Sequence, residues 1–297
     1  MTTRHVHPAH VMTSQAQSVR YADPERRFAF GRNWRSFLST LDDHRIEEAR
    51  SRLCESLGRK DLHGVRALDI GSGSGLSSLV MHQLGADVVS FDYDVDSVAC
   101  TEELRRRYAP SATNWQVTQG SALDPAFMAN LGPFNLVYSW GVLHHTGAMW
   151  RAIELAEARV AAHGTLLLAL YNDQGWRSRV WHAIKHMYCS SAPGRWLVCA
   201  VFYPVFSLYA LWQDLRHLDL PGTYARQYAS KRGMSLLHDW RDWLGGYPFE
   251  VAKPEDVEHK LLANGFELQR QTLTRGLGCN EFVFTLTQAN LMSRQDG

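Results

Sequence analysis

The stretch from Arg66 to Asp92 constrains the fold more than any other part of the 297-residue chain. It reads RALDIGSGSGLSSLVMHQLGADVVSFD, which is a short apolar run, a glycine-rich turn, a helical segment and a second apolar run that ends in an acid. This order predicts strand, turn, helix and strand, the opening unit of an α/β fold that binds nucleotides. The rest of the chain is therefore expected to be arranged around that unit.

The spacing of the turn glycines indicates the kind of ligand. Asp69 ends the first apolar run, and Gly71, Gly73 and Gly75 follow at alternate positions. A dinucleotide fingerprint would have its third glycine where Leu76 stands. An acid before the turn repels a phosphate, but it can attract an ammonium group directly or through water. A ligand with an amino acid end and a ribose therefore fits this turn better than one with a diphosphate.

A second acid and two later motifs point to one family. Asp92 follows Gly71 by about twenty residues, the separation of a carboxylate that binds ribose hydroxyls. Gly-Ser-Ala at 120–122 and Leu-His-His-Thr at 143–146 then occur in order. With these motifs the sequence resembles the class I S-adenosylmethionine-dependent methyltransferases, over roughly residues 45–172 and 254–288. It is most similar to their small-molecule branch, the bacterial stand-alone type related to the ubiquinone-biosynthesis methyltransferases.

This resemblance implies S-adenosylmethionine as the methyl donor, a small-molecule acceptor and no metal. Ser121 departs from the family pattern, because an acid that contacts the adenine amino group is usual there, and Asn135 also replaces a common acid. A serine hydroxyl can accept the adenine hydrogen bond, although without charge assistance. The residues that the resemblance assigns to the cofactor are Asp69, Gly71, Ser72, Gly73, Gly75, Asp92, Tyr93, Ser121, Ala122 and Trp140.

The alternation of apolar runs and helical segments predicts a Rossmann-like, doubly wound parallel sheet. It includes a helix over 149–162 and a buried strand over 165–170. The resembled fold adds closing strands over 266–274 and 281–288, which make seven strands with the last one antiparallel. Because ligands bind such sheets at the carboxyl ends of the strands, we expect the site at that edge. The residues that end or follow the first five strands are Gly71, Asp92, Ser121, Trp140 and Tyr171.

The chain is predicted to divide into four segments. Residues 1–60 form an N-terminal lid segment and helix, 61–171 the cofactor-binding core, 172–253 a helical, aromatic-rich cap for substrate recognition, and 254–297 the last helix with two closing strands. The sequence FAFGRNWRSF at 28–37 contains four aromatic residues. The resemblance implies that this segment is a lid over the cofactor, and a simple cover for the core is an equal alternative.

The candidates for catalysis are His144 and His145 after the fourth strand and His238 in the insertion. Histidine suits proton removal because its ordinary pKa lies near working pH. A structural or cofactor-packing role is the alternative for the histidine pair. Tyr171 ends the fifth strand and is expected to line the acceptor site. A second mechanism also stays open, in which a methionine-like thioether needs no base and aromatic faces of the insertion stabilise the cationic product.

The apolar run from Trp196 to Trp212 has no charged residue over 17 positions and contains Pro204. This length is at the lower limit for a membrane span. We favour a buried or dimer-forming helix pair, an apolar substrate tunnel included. Contact with a membrane surface and a true span are the alternatives.

The composition limits the kinds of partner that the protein is expected to bind. The formal net charge of +1 provides no electrostatic reason to expect nucleic acid, so an RNA or protein methyltransferase is only an alternative. The five cysteines show no disulfide or CxxC spacing, and the first residues lack the apolar core of a signal peptide. We therefore expect a cytoplasmic protein. A non-catalytic cofactor-binding or membrane-associated scaffold is the remaining alternative.

Overall fold

A computed structural model describes residues 28, 30–39, 41–232 and 236–287. Its centre is a seven-stranded sheet with the order β3-β2-β1-β4-β5-β7-β6. Only β7 runs antiparallel to its neighbours, β5 and β6. The strands are β1 (Arg66–Ile70), β2 (Asp87–Asp92), β3 (Trp115–Gln119), β4 (Phe134–Trp140), β5 (Val160–Tyr171), β6 (Phe266–Thr272) and β7 (Cys279–Leu286). The predicted fold class, with its antiparallel last strand, is confirmed.

Helices connect the strands and cover both faces of the sheet. Several begin at acids that cap the free backbone N–H groups, such as Asp42, Asp94 and Asp124. The helices are α1 (Gly31–Leu38), α2 (Asp43–Leu57), α3 (Leu76–Gln83), α4 (Val95–Tyr108), α5 (Pro125–Asn130), α6 (Met149–Glu157), α7 (Trp176–Ser190), α8 (Ala192–Arg216), α9 (Thr223–Arg232), α10 (Leu236–Gly245) and α11 (Pro254–Ala263).

The sheet separates two apolar cores, as the period of two along a strand requires. In β1, Leu68 and Ile70 face the core formed with α6 and α11, whereas Ala67 faces the core formed with α2, α3 and α4. Both faces of this central strand are buried, which is the pattern of a parallel sheet covered by helices. The arrangement places every β-to-α turn of the parallel strands at one edge.

The connection from α6 to β5 differs from the prediction. The helix predicted over 149–162 ends at Glu157, and β5 begins at Val160 and not at position 165. The backbone N–H of Phe134 bonds to the carbonyl of Arg159, and Phe134 pairs with Val160. Pairing with β4 therefore extends the strand into residues whose local sequence favours helix.

The βα alternation stops after β5, where four helices, α7 to α10, precede α11. They form a small core of their own around Tyr188, Val198 and Leu244. The predicted helical, aromatic-rich insertion is therefore present. α8 is long and apolar enough to cross a membrane by length and composition, but only 6% of its most apolar window is buried. Of the favoured interpretation of Trp196–Trp212, a buried or dimer-forming helix pair, the first part is therefore wrong for the part of the chain that the structure describes, and the second stays a prediction.

Candidate active site

The glycine turn after β1 holds its shape through close approaches that a side chain would block. Gly71, Gly73 and Gly75 all have positive φ, at 75°, 56° and 83°. A Cβ on Gly75 would lie 2.9 Å from the backbone of Thr101 in α4, and one on Gly71 would lie 2.3 Å from Val142. Most N–H groups of the turn are already bonded, those of Gly71 and Ser72 to the carbonyl of Phe91 and that of Gly75 to the carbonyl of Ser72, so the turn offers close approach to its backbone and not a row of free donors.

Asp92, at the end of β2, is fixed by backbone donors. One carboxylate oxygen accepts from the N–H of Gly73 and the other from the N–H of Asp94, both at 2.9 Å. Burial raises the pKa of Asp92 to about 6, and the neighbouring charge of Asp94 adds to this effect. The carboxylate thus stands beside the glycine turn, and its role in binding ribose hydroxyls stays a prediction.

Asp69 lies beneath the turn and not on its surface. Its buried carboxylate accepts a short hydrogen bond from Ser78, whose hydroxyl lies 2.7 Å from that of Ser90. The indole of Trp115 donates to Ser90 at 2.9 Å, which completes a buried polar chain. Burial raises the pKa of Asp69 to about 7. Asp69 therefore joins β1 to α3. An attraction between its carboxylate and a ligand's ammonium group would have to act across the turn.

Three more of the residues predicted to bind the cofactor follow the ends of β2 and β3. Tyr93 is half exposed, and its carbonyl accepts from the side chain of Gln119 at 3.2 Å. Ser121 is partly exposed and accepts from the N–H of Leu123, while Ala122 is buried beside it.

Ser72, within the turn, has its hydroxyl 2.9 Å from that of Thr101 in α4. Its role in this structure is to hold the turn against that helix.

Trp140 ends β4, the strand next to β1 in the sheet, but its ring is not directed toward the glycine turn. The indole N–H donates to Glu281 of β7 at 2.9 Å, and Ser56 donates to the same carboxylate at 2.5 Å. β7 lies on the opposite side of β4 from β1 and β2. The backbone of Trp140 is therefore at the cofactor edge, whereas its side chain is turned away from Asp92.

The segment around α1 crosses the glycine turn. The N–H of Gly31 donates to the Asp94 carboxylate at 2.9 Å, and the Trp34 indole stands 3.0 Å from where a Cβ on Gly73 would be. The ring of Phe30 lies 5.0 Å from that of His145. α1 therefore contacts the cofactor turn and the histidine pair together, and its role as a lid stays a prediction.

The two histidines have different tautomers because they have different partners. Nδ1 of His145 lies 2.7 Å from the carbonyl of Pro248, which can only accept, so Nδ1 carries the hydrogen and Nε2 has the lone pair. Nδ1 of His144 accepts from the N–H of Tyr171 at 3.3 Å, so its hydrogen is on Nε2. His144 is fully buried, whereas His145 is partly exposed. Only His145 therefore presents an acceptor nitrogen that a ligand can approach.

Both histidines are held neutral. Burial lowers the pKa of His145 to about 4, and the charge of Lys185 lowers it further, against the bond to Pro248. Burial also lowers the pKa of His144 well below its usual range, and the charges of His145 and Lys185 add to this. At working pH, Nε2 of His145 therefore has a lone pair and Nε2 of His144 carries a hydrogen, and neither ring is a cation.

An aromatic wall surrounds the histidines. The ring of Tyr171 lies 4.0 Å from His144 and 5.2 Å from Phe249. Lys185 of α7 is fully buried, and its ammonium nitrogen lies 4.6 Å from the ring of Trp243 and 5.1 Å from that of Phe249. The wall therefore combines apolar surface with one positive charge.

Three residues of this site were not predicted from the sequence. Lys185 comes from the insertion, where Trp181, Lys185 and Tyr188 share one helix face; a lysine on an otherwise apolar face was the available signal. Phe249 and Glu250 lie in the stretch after the cis peptide Tyr247-Pro248. Glu250 accepts from the N–H of Met149 at the start of α6, which fixes that stretch against the histidine turn.

Two predictions remain outside these contacts. His238 lies in α10, but its side chain is outside the part of the chain that the structure describes. Within the described residues, no group of three or more His, Cys, Asp or Glu side chains is placed to hold a metal ion. Transfer without a metal therefore stays a prediction.

Comparisons with known proteins agree with the fold and the motifs. The family model of the methyltransferase domain matches residues 41–267. The chain is 24% identical over 178 residues to the ubiquinone biosynthesis O-methyltransferase of Rhodopseudomonas palustris (strain BisA53), covering 58% of this chain and 65% of that protein. It is 25% identical over 177 residues to the protein of the same name from Caulobacter sp. (strain K31), covering 56% and 64%. The chain thus spans just under two thirds of the length of these relatives.

The fold is also found in a solved structure, that of magnesium protoporphyrin IX methyltransferase from Synechocystis PCC 6803 with bound SAH. The TM-score is 0.50 at 14% identity, over 82% of this chain and 84% of that one. The sheet order and the glycine turn with its two acids define the class of Rossmann-like, S-adenosylmethionine-dependent methyltransferases. The chain belongs to the methyltransferase domain family, as its motifs predicted.

Proposed function

We propose that the protein transfers a methyl group from S-adenosylmethionine to an acidic hydroxyl of a small molecule, with His145 as the base. The observation that carries this proposal is the hydrogen bond from His145 Nδ1 to the Pro248 carbonyl, because it leaves the lone pair on Nε2 at the partly exposed side of the ring. The two relatives are named as O-methyltransferases of ubiquinone biosynthesis, which supports oxygen as the attacked atom.

The residues fit the cofactor. The glycine turn has no side chains at alternate positions, so a cofactor can approach its backbone, and Asp92 beside the turn suits the ribose. Bound S-adenosylmethionine supplies an electrophilic methyl group on a sulfonium. The task left to the chain is to orient the acceptor, exclude water and remove one proton. α1, the histidine turn and the aromatic wall are placed to exclude water.

The electrostatics favour an acidic hydroxyl, such as a phenol or enol. With a pKa of about 4, His145 is unprotonated at working pH but is a weak base, so it suits a proton that is already easily lost. The Lys185 ammonium lies in the same wall and stabilises a developing oxyanion. The hydroxyl proton goes to Nε2 of His145, the oxygen forms the new bond to carbon, and the methyl–sulfur bond breaks.

The thioether alternative is disfavoured by the same charge. Methylation of a thioether produces a fixed cation, and the aromatic faces that could stabilise it, Trp243 and Phe249, already surround the Lys185 ammonium. Two positive charges would then share one low-dielectric wall. Among the described site residues, no specific contact favours an RNA or protein acceptor or a non-catalytic scaffold.

The first test is transfer of an isotope-labelled methyl group into a small-molecule extract, read by mass spectrometry. Asp92→Ala is the control, because loss of the ribose carboxylate should abolish cofactor binding by calorimetry. We expect a labelled methyl ether of a phenol or of an enol, which is absent from the control. A permanently cationic product would overturn oxygen transfer.

His145→Ala and His144→Ala then separate the roles of the pair. We expect His145→Ala to lower kcat about 100-fold or more at unchanged cofactor affinity, in the range of general base catalysis. The wild-type rate should follow the ionisation of the acceptor between pH 6 and 9 and show no step from His145, which is neutral throughout. Full turnover by His145→Ala over this range would exclude it as the base.

A further inference from the structure

The outward half of α8 is an apolar surface that no other residue in the described part of the chain covers. Over one side of the helix the exposed residues are apolar except for Ser207, and exposure reaches 78% at Trp196 and 72% at Leu215. The residues of this surface, named here the α8 face, are Trp196, Leu197, Ala200, Val201, Pro204, Val205, Leu208, Leu211, Trp212 and Leu215. A helix of 25 residues is about 37 Å long, and the α8 face runs along most of it, as a contiguous apolar surface of the kind that marks an interaction site.

The inward half of α8 already completes the core of the insertion. Val198 is buried against Tyr188, Phe202 lies 5.6 Å from Trp181, and Phe206 lies 5.3 Å from Trp240. A transmembrane position would remove these side chains from their partners. The helix is therefore held flat on the protein, and the α8 face is oriented outward.

The loop after α8 extends the apolar surface at one end. Leu218 is 92% exposed and Leu220 is 75% exposed. Leu218 has φ 56°, a left-handed conformation that suits glycine and that costs a leucine about 1 kcal/mol. The buried carboxylate of Asp214 accepts from the N–H groups of Gly222 and Tyr224, which fixes this loop. The left-handed conformation ends α8, because the N–H groups of Leu218 and Asp219 bond to the carbonyls of Leu215 and Asp214, but it leaves the leucine side chain exposed to solvent.

Charge indicates what covers this surface. Residues 174–232 contain eight Lys and Arg against two Asp, a net charge of +6 in a chain whose total is +1. One of those two acids, Asp214, and one of the eight bases, Lys185, are buried, so the remaining groups also sum to +6. Arg195 precedes Trp196 at one end of the α8 face, and Arg216 lies over the ring of Trp212 at the other. Aromatic and basic residues at both ends are typical of a helix that lies in a membrane interface.

We propose that the α8 face and the Leu218–Leu220 loop bind the surface of an anionic lipid bilayer, with α8 parallel to the membrane plane. A second copy of the chain is a poorer occupant, because a two-fold interface would bring two segments of charge +6 together. An anionic leaflet complements that charge, and its interfacial region can bury the exposed leucines of the α8 face and the loop. Binding to lipid does not depend on the acceptor chemistry of the active site.

Flotation of the full chain tests the proposal. Vesicles of phosphatidylcholine alone and vesicles that also contain phosphatidylglycerol are compared at low and high salt. We expect the protein to float with the anionic vesicles, and the bound fraction to fall with salt as attraction to lipid charge is screened. Absence of flotation with anionic vesicles at low salt would overturn the proposal.

Three variants locate the contact. Val201→Glu with Leu208→Glu should lower partitioning about tenfold or more, whereas Leu262→Glu, an exposed leucine on α11, should leave it unchanged. Leu218→Gly should weaken binding while it raises thermal stability, because glycine accepts the left-handed conformation. That result separates lipid contact from damage to the fold. Equal flotation of all variants, or a wild-type dimer in sedimentation that the double glutamate variant dissociates, would contradict the proposal.

Discussion

At the scale of single residues, the two acids of the glycine turn are most sensitive to pH. Asp69 is completely enclosed, and burial raises its pKa to about 7 from 3.8. A raised pKa means that the protonated form favours the folded chain. The resulting stability is complete below pH 4 and is lost as pH rises through about 7. His144 and His145 act with the opposite sign, because their depressed pKa values make the chain less stable as pH falls below 6.5.

Asp69→Asn should remove the first of these effects. The amide keeps a partner for Ser78 but does not ionise, so the decline of the unfolding free energy between pH 5 and 8 should be smaller by about 3 kcal/mol. The measurement is urea denaturation of the cofactor-free protein across this range. Asp43→Asn, an exposed acid at the start of α2, is the matched control. If wild type and Asp69→Asn show parallel pH dependence, Asp69 is not the titrating group.

At the scale of elements, the junction of β1, α3 and α4 depends on one close approach. Gly75 combines a φ of 83° with a backbone atom of Thr101 only 2.9 Å from where a Cβ would lie, whereas Gly58 at the end of α2 has a φ of 67° and open space around it. The two positions therefore separate conformational strain from steric overlap. Helix α4 can approach the turn only because position 75 has no side chain.

Gly75→Ala should destabilise the chain much more than Gly58→Ala. The left-handed conformation alone costs about 1 kcal/mol at position 58, and the overlap with α4 should bring the total at position 75 to roughly 3 kcal/mol. Chemical denaturation measures both changes. Similar losses for the two variants would mean that α4 moves away from the turn at little cost. Cofactor binding should weaken only in Gly75→Ala.

At the scale of the whole molecule, the insertion and the sheet differ in how much apolar surface they bury. Among the described residues, the core of the insertion has three buried apolar side chains, whereas the two cores against the sheet have 24 and 20. Local stability follows buried contact. The insertion is therefore expected to open without unfolding of the sheet, and such opening would admit the acceptor to the histidine turn.

Native-state hydrogen exchange should show this difference. We expect amides of α7 and α8 to exchange through a partial opening whose free energy lies clearly below that of β1, β4 and β5, which should exchange only on global unfolding. Anionic vesicles should raise protection in α8 more than in α11. Equal opening free energies in the insertion and the sheet would show that the molecule unfolds as one unit.

Local patterns were sufficient for the framework of the fold. The glycine spacing, the acids near the ends of β1 and β2, and the apolar periodicity predicted the parallel strands and the resemblance to the family, because these features act between residues close in the chain. The resemblance then implied the two closing strands. Boundaries were less accurate where pairing overrides propensity, as at Val160, which joins β5 through Phe134. The helical insertion was also recognisable, since the alternation of strands simply stops.

The sequence alone determined the class of protein, the edge of the sheet that holds the site and the pair His144 and His145 as candidates. The tertiary structure decided how those residues are used. The tautomers of the pair depend on Pro248 and Tyr171, and the ring of Trp140 depends on Glu281. The exposed α8 face likewise depends on which half of the helix meets α7 and α10. Such contacts join residues far apart in the chain, so no local pattern contains them.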